Sequence, residues 1–179
     1  MKTMNSTKHQ PSNRLINAYD QIMASMREVF EDTDTTDSSF RKALDIARDR
    51  VVHLGEITAE EAQEIGEFIK RDINDAAEYM METSAEFSDW LMLDIEVIER
   101  KVVEMFLSVA DRTRIELEQI KRQSVPPSLY YSGEITGPGT LICNECGHRM
   151  QFVTTTQIDT CPECGNNTFQ RAEFKRNPE

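Results

Sequence analysis

The residues with the clearest chemical potential are four cysteines set in two pairs. They read Cys143-Asn144-Glu145-Cys146-Gly147 and Cys161-Pro162-Glu163-Cys164-Gly165, with fourteen residues between Cys146 and Cys161. A gap of two residues lets one tight turn offer two thiolates to the same ion. Two such turns complete the tetrahedral site that zinc prefers, with sulfur ~2.3 Å from the metal. The glycine after each pair tolerates a positive φ, which lets backbone N–H groups point at sulfur and disperse thiolate charge. Pro162 stiffens the second turn. With cysteine at all four positions no site is left open for water. The metal is therefore expected to be one structural Zn2+ per chain, not a hydrolytic centre.

Other uses of these cysteines compete less well. Two disulfides would suit an exported chain, but Met1 to Asn13 is polar and lacks the apolar core of a secretion signal. The expected location is the cytoplasm, where facing C-x-x-C turns share a metal. His148 is two residues from Cys146 and is not needed as a ligand. Iron in the same cage would make a rubredoxin-like electron carrier, since tetrahedral sulfur suits either metal. The short interval between the pairs and the sparse aromatic surroundings, Phe152, Phe169 and Phe174, favour zinc.

One further group has chemical character. Arg149, Phe152, Phe169, Arg171, Lys175 and Arg176 interleave cations with aromatics, a pattern that can contact phosphates and stack on bases. Packing within a sheet explains the same residues. His9 and His53 are isolated, and His53 near a helix C-terminus is accounted for by the dipole. Trp90 reads as a packing anchor, and Glu60/Glu61 and Asp94/Glu96 as solvated faces. There is no Gly-rich phosphate loop, no Ser/His/Asp set and no Cys/His nucleophile, so a non-enzymatic protein is expected.

The elements that must carry the cysteines follow from Gly and Pro. Between Asn13 and Val125 the only glycines are Gly55 and Gly66 and there is no proline. From Pro126-Pro127 onward both types become frequent, which marks a helical region followed by a turn-rich β region. Leu15, Tyr19, Ile22, Met26 and Val29/Phe30 recur at helical spacing and predict a helix from about Asn13 to Glu31. Asp32 to Ser39 reads as a loop. Phe40, Leu44, Ala47, Val51 and Leu54 predict a second helix over about Ser39 to Leu54. Gly55 can close it. Thr58 with Glu61 forms a capping box for a third helix, with Ile57 stapled against Ala62. That helix carries Ala62, Ile65, Ile69, Ile73, Ala76 and Met80, close to a heptad seam. A break is expected near Thr83 to Ser88, before a fourth helix over about Asp89 to Gln123; without it, Thr58 to Ser124 is one long helix. In the β region, Leu141-Ile142, Met150 to Thr156 and Asn167 to Phe174 predict a three-stranded antiparallel sheet around the two turns. The recurrence of Gly-Glu-Ile-Thr at Gly55–Thr58 and Gly133–Thr136 reads as chance, because the flanks differ.

Charge narrows the choice of partner. The formal net charge is -12 over 179 residues. Residues 1–125 hold 16 Lys/Arg against 26 Asp/Glu, and residues 126–179 hold 4 against 6. An acidic chain repels polyanions at long range, so nucleic acid is disfavoured as a general partner. No stretch approaches the ~20 apolar residues that span a bilayer, and no membrane association is expected.

The residues around the cysteines also carry a likeness. Tyr130-Tyr131-Ser132-Gly133-Glu134, then Gly137 through Leu141-Ile142-Cys143-x-x-Cys146, then Cys161-Pro162-x-Cys164-Gly165 and Phe169-Gln170-Arg171 resemble the bacterial zinc-ribbon-containing YbeL-like family. Gly55-Glu56-Ile57-Thr58 and Ile69-Lys70-Arg71-Asp72 extend the resemblance over most of residues 13 to 174. It implies a helical region ending in a zinc ribbon and is silent on biological role.

The expected architecture is mainly α: antiparallel helical hairpins or a coiled-coil bundle over 13–125, then a small antiparallel β zinc ribbon over 126–179. A disordered tail is expected over 1–12. The expected role is a protein–protein interaction or regulatory module with an unknown protein partner and self-association through the helices. The competing readings are a nucleic-acid-associated regulator and an iron electron carrier.

Overall fold

The computed structural model describes residues 10–32, 39–83, 109 and 128–172. Three helices come first: α1 (Gln10–Asp32), α2 (Phe40–His53) and α3 (Ala59–Thr83). α1 starts at Gln10, ahead of the expected Asn13, with Pro11 in its first turn, where the missing N–H has no helical partner to lose. Ser39 caps α2, its Oγ accepting the Lys42 N–H at 3.2 Å. The expected break after Thr83, the fourth helix and Trp90 lie outside the described residues, apart from Val109, which is helical and buried in the helical core. Residues 1–9 of the expected tail also lie outside them.

Contacts set the helix directions. Arg14 pairs with Glu61 and Tyr19 meets Asp72, so α1 and α3 run the same way. α2 runs back beside them, its Arg50 reaching Ser25 and Glu28 of α1 at 3.0 and 3.5 Å. The predicted stripes are the core: Tyr19, Ile22, Met26, Phe30, Leu44, Ala47, Val51, Ile65, Ile69 and Ile73 are all buried in one cluster. Leu54 departs from the expectation and is 69% exposed. It caps α2, the chain reverses at Gly55 (φ 76), and Ile57 fills the core at that end.

The start of α3 forms the predicted box. The Thr58 N–H donates to Glu61 Oε2 at 2.9 Å, and the Glu61 N–H donates to Thr58 Oγ1 at 3.2 Å. Thr58→Ala should therefore cost about 1 kcal/mol. It should appear in urea titrations as a lower midpoint with unchanged slope.

The β region is richer than the three strands expected. It contains β1 (Leu129–Tyr131), β2 (Ile135–Thr136), β3 (Gly139–Cys143), β4 (Arg149–Phe152), β5 (Thr156–Gln157) and β6 (Thr168–Arg171). The central strands β6, β3 and β4 are the predicted sheet. β1 extends it in the order β1-β6-β3-β4, and β2 and β5 form a separate two-stranded ladder. All pairs are antiparallel. The additional strands are two or three residues long, too short for a period of two to declare itself. Tyr130, Leu141, Cys143, Ile158, Cys161 and Phe169 form the ribbon's own core, with Met150 and Phe152 packed against it. Ile135 of β2 belongs instead to the helical core, so the ribbon is seated on the helices. No helix among the described residues is long and apolar enough to cross a membrane.

Candidate metal centre

The two cysteine turns have the same local build. The Cys143 N–H donates to His148 O at 2.9 Å and the Gly147 N–H to Cys143 O at 3.0 Å; the Cys161 N–H donates to Asn166 O at 2.8 Å and the Gly165 N–H to Cys161 O at 2.8 Å. Gly147 and Gly165 both take φ 73, the left-handed conformation expected of them. β3 delivers Cys143 into the first turn, which ends where β4 begins, and β6 follows the second turn. Register pairs Cys143 directly with Phe169.

These turns bring the four sulfurs together. All four Sγ atoms lie within 4.8 Å of one another, and they are the only such group of metal-capable side chains among the described residues. Cys143 Sγ is 3.6 Å from Cys164 Sγ, and Cys146 Sγ is 3.6 Å from Cys161 Sγ. A tetrahedron with sulfur ~2.3 Å from its centre has edges of roughly 3.8 Å, so the spacing fits an ion held by four thiolates. A disulfide would bring two sulfurs to about 2.05 Å. All four cysteines are free. His148 contributes its main chain to the first turn, and its ring is not in the group.

The electrostatics of the set call for a cation. Backbone N–H groups of Cys146 and Glu145, with the Asn166 amide 3.6 Å from the sulfur, pull the Cys143 thiol down to about 6. The Asn166 N–H also favours a Cys164 thiolate, but hydrogen bonding among the neighbouring thiols and burial push Cys164 up to about 12. Cys146 is raised as well, despite the His148 N–H that favours its thiolate. Four sulfurs this close do not all ionise alone, and a divalent ion between them removes that penalty. The donor set, its spacing and its N–H shell fit a four-sulfur metal site. Gly147→Ala would place a Cβ in open space but force an L-residue to φ 73. The conformation alone should cost about 1–2 kcal/mol, read as roughly tenfold weaker zinc retention against a competing chelator.

What fixes this centre relative to the helices is a buried polar cluster. Asp72 of α3 is fully buried, and its Oδ2 accepts Tyr19 Oη at 2.8 Å, Thr136 Oγ1 at 3.1 Å and the Gly137 N–H at 2.8 Å. Its Oδ1 faces Arg171 Nη2 at 3.3 Å and Arg71 Nε at 3.6 Å. Arg171 also donates to Tyr130 Oη at 3.2 Å and Thr136 Oγ1 at 3.1 Å. Tyr130 Oη donates to Asp75 Oδ2 at 2.6 Å. Both guanidiniums lie over the Tyr130 ring, at 3.7 Å for Arg71 and 4.8 Å for Arg171. Arg71 further pairs with Glu134 and donates to Leu129 O. Burial raises the Tyr19 and Tyr130 phenols well above their ordinary range and also raises Asp75. Gly139 is required by close approach, since a Cβ there would fall onto the Arg171 guanidinium.

Two residues of the suspected nucleic-acid pattern are thereby reassigned. Phe169 is fully buried in the ribbon core and Arg171 is 8% exposed against Asp72. Neither faces solvent, because strand alternation turns both toward the packed side of the sheet. Arg149 remains exposed, Phe152 is half-buried, and Lys175 and Arg176 lie outside the described residues. The polar cluster was not foreseen. Its one sequence signal is Asp72, which falls on the apolar stripe of Ile65, Ile69, Ile73 and Ala76, where a charge needs a partner.

Comparison with known proteins agrees with this geometry. The profile of the family described as a zinc-ribbon containing domain matches residues 27–173. The chain is similar to the uncharacterized protein YbeL of Escherichia coli K12, at 27% identity over 163 residues, covering 91% of this chain and 99% of the relative. The YbeL proteins of the O6:H1 and O157:H7 strains match to the same extent. No solved structure matches the chain.

Proposed function

Since the chain belongs to the family of zinc-ribbon containing domains, we propose that it is a non-enzymatic interaction module whose ribbon is pinned by one structural zinc ion. The observation that carries this reading is the four-sulfur cluster, with cross-turn spacings of 3.6 Å, at one end of a sheet whose other end is anchored on the helices. Zinc is favoured over iron by the family, and a filled cysteine set leaves no position for a substrate. Free thiols poised for metal suit a reducing compartment, which supports the cytoplasm.

The sheet face turned away from the helices supports a display role. Leu129 and Tyr131 are each 43% exposed, and Gln170 and Arg149 are exposed on the same face. That mixture of apolar, aromatic and polar groups on a rigid backbone suits a protein partner. A nucleic-acid partner is supported less, because Phe169 and Arg171 are turned inward and the net charge is -12. Metal analysis of purified chain should give one zinc per polypeptide and a colourless solution. Crosslinked capture should recover a partner with the wild type that is lost with Cys143→Ser. A red, iron-bearing sample, or salt-dependent DNA or RNA binding in place of protein capture, would replace this reading. Light scattering on the intact chain tests self-association through the helices.

A further inference from the structure

The metal centre and the helix–ribbon interface lie at opposite ends of the same two strands. β3 begins at Gly139, which backs onto the Arg171 guanidinium, and ends at Cys143. β6 leaves the second cysteine turn at Thr168 and ends at Arg171, where it meets Asp72. The two strands are paired along this length, Cys143 with Phe169 and Leu141 with Arg171. The Ala172 N–H extends the ladder to Thr140 O at 3.0 Å. At ~3.3 Å per residue the separation is about 13 Å. Asn166 ties the two turns together, its Nδ2 reaching both Cys143 Sγ and Thr168 O.

We propose that ion binding at the cysteines and docking of the ribbon on the α1/α3 face are thermodynamically coupled through β3 and β6, so that the helical body senses the metal. The proposal rests on the zinc reading. Among the described residues the ribbon core contains six buried residues, two of them ligands, so its sheet depends on the ion for folding. Without the ion, β6 no longer holds Arg171 against Asp72. The ribbon then withdraws Ile135 from the helical core and Thr155 from Asp20, to which its hydroxyl donates at 2.6 Å. Tyr19, Asp72 and Asp75 become accessible to water. By linkage the effect is reciprocal: whatever weakens docking weakens metal binding by the same factor.

The test uses the full chain. Zinc affinity, measured by competition with a chromophoric chelator, should weaken by about 5- to 150-fold in Asp72→Asn, the usual range of such coupling. Thr155→Ala should weaken it by a smaller factor. Arg50→Ala, which breaks contacts made within the helices alone, should leave it unchanged. Chelation of the wild type should raise amide exchange over residues 15–23 and 69–76. Wild-type affinity in Asp72→Asn or Thr155→Ala, or unaltered exchange on chelation, overturns the coupling. Should Asp72→Asn not fold, Thr155→Ala and the exchange experiment decide. A wild-type chain that purifies without zinc defeats the zinc reading itself, which metal analysis reports before any chelator is added.

Discussion

Cys161→Ser should leave the full chain unable to retain zinc through dialysis, with residues 139–143 and 168–171 losing their strand signals by NMR. Cys161, like Cys143, is a severe position because it serves twice. Its Sγ lies 3.6 Å from Cys146 Sγ in the cluster, and its side chain, 2% exposed, is part of the ribbon core. Serine supplies a smaller, harder oxygen that stays protonated near neutral pH, so the ion loses a thiolate and the core loses a polarizable sulfur. Structural zinc contributes about 10–16 kcal/mol of apparent binding free energy to small domains. The four non-ligand side chains of the ribbon core offer about 1.5–3 kcal/mol each, before the entropy of ordering the chain is subtracted. The metal term is the larger of the two. Zinc affinity should therefore fall by well over the 10- to 100-fold typical of losing an outer hydrogen bond to a ligand. Glu145→Ala, a change at an exposed residue inside the first turn, should retain the ion. Zinc held at wild-type affinity by Cys161→Ser would show that the four sulfurs do not act as one site.

The sequence exposed some parts of this molecule and concealed others for physical reasons. The cysteine turns are local: two residues of spacing plus a glycine determine the knuckle, and φ 73 at both Gly147 and Gly165 follows from the chain itself. The three described helices are nearly as local, because Tyr19, Ile22, Met26 and their counterparts repeat at the period that buries one face. The Thr58–Glu61 box needs four consecutive residues and forms as read. What escaped is non-local. β1 exists because Tyr130 pairs with Phe169, thirty-nine positions later, and β2 because Ile135 pairs with Gln157. Arg171 looked like a cation free to meet phosphate because its partner, Asp72, lies nearly a hundred residues earlier. Leu54 extended an apolar stripe on paper, yet the helix stops beneath it. Periodicity reports which face is buried, and is blind to what arrives from elsewhere to cover it.

Asp72→Ala should destabilise the full chain by about 3–5 kcal/mol, the cost of breaking a buried ion pair from one side. The reason lies in what stays behind. Arg171, 8% exposed, and Arg71, its side chain 13% exposed and paired also with Glu134, would remain charged with their shared carboxylate gone. The Tyr19 and Thr136 hydroxyls and the Gly137 N–H would lose an acceptor in the same step. A surface pair on the same body gives the contrast. Arg48 and Asp45 are 3.0 Å apart one helical turn from each other, with side chains 21% and 52% exposed. Removing that aspartate should cost under about 1 kcal/mol. If desolvation governs the Asp72 site, replacing both ends together should be tolerated far better than replacing one. Asp72→Leu with Arg171→Met should recover most of the loss in chemical denaturation, because Arg171 leaves together with its carboxylate and Arg71 keeps its pair with Glu134. The double variant should also regain a single cooperative transition. A double variant as unstable as the sum of its parts would mean that hydrogen bonds from Tyr19, Thr136 and Gly137, and not the charge pair, hold the ribbon to the helices. An Asp72→Ala loss no greater than that at Asp45 would mean that water reaches the cluster freely and that apolar contacts such as Ile135 carry the interface.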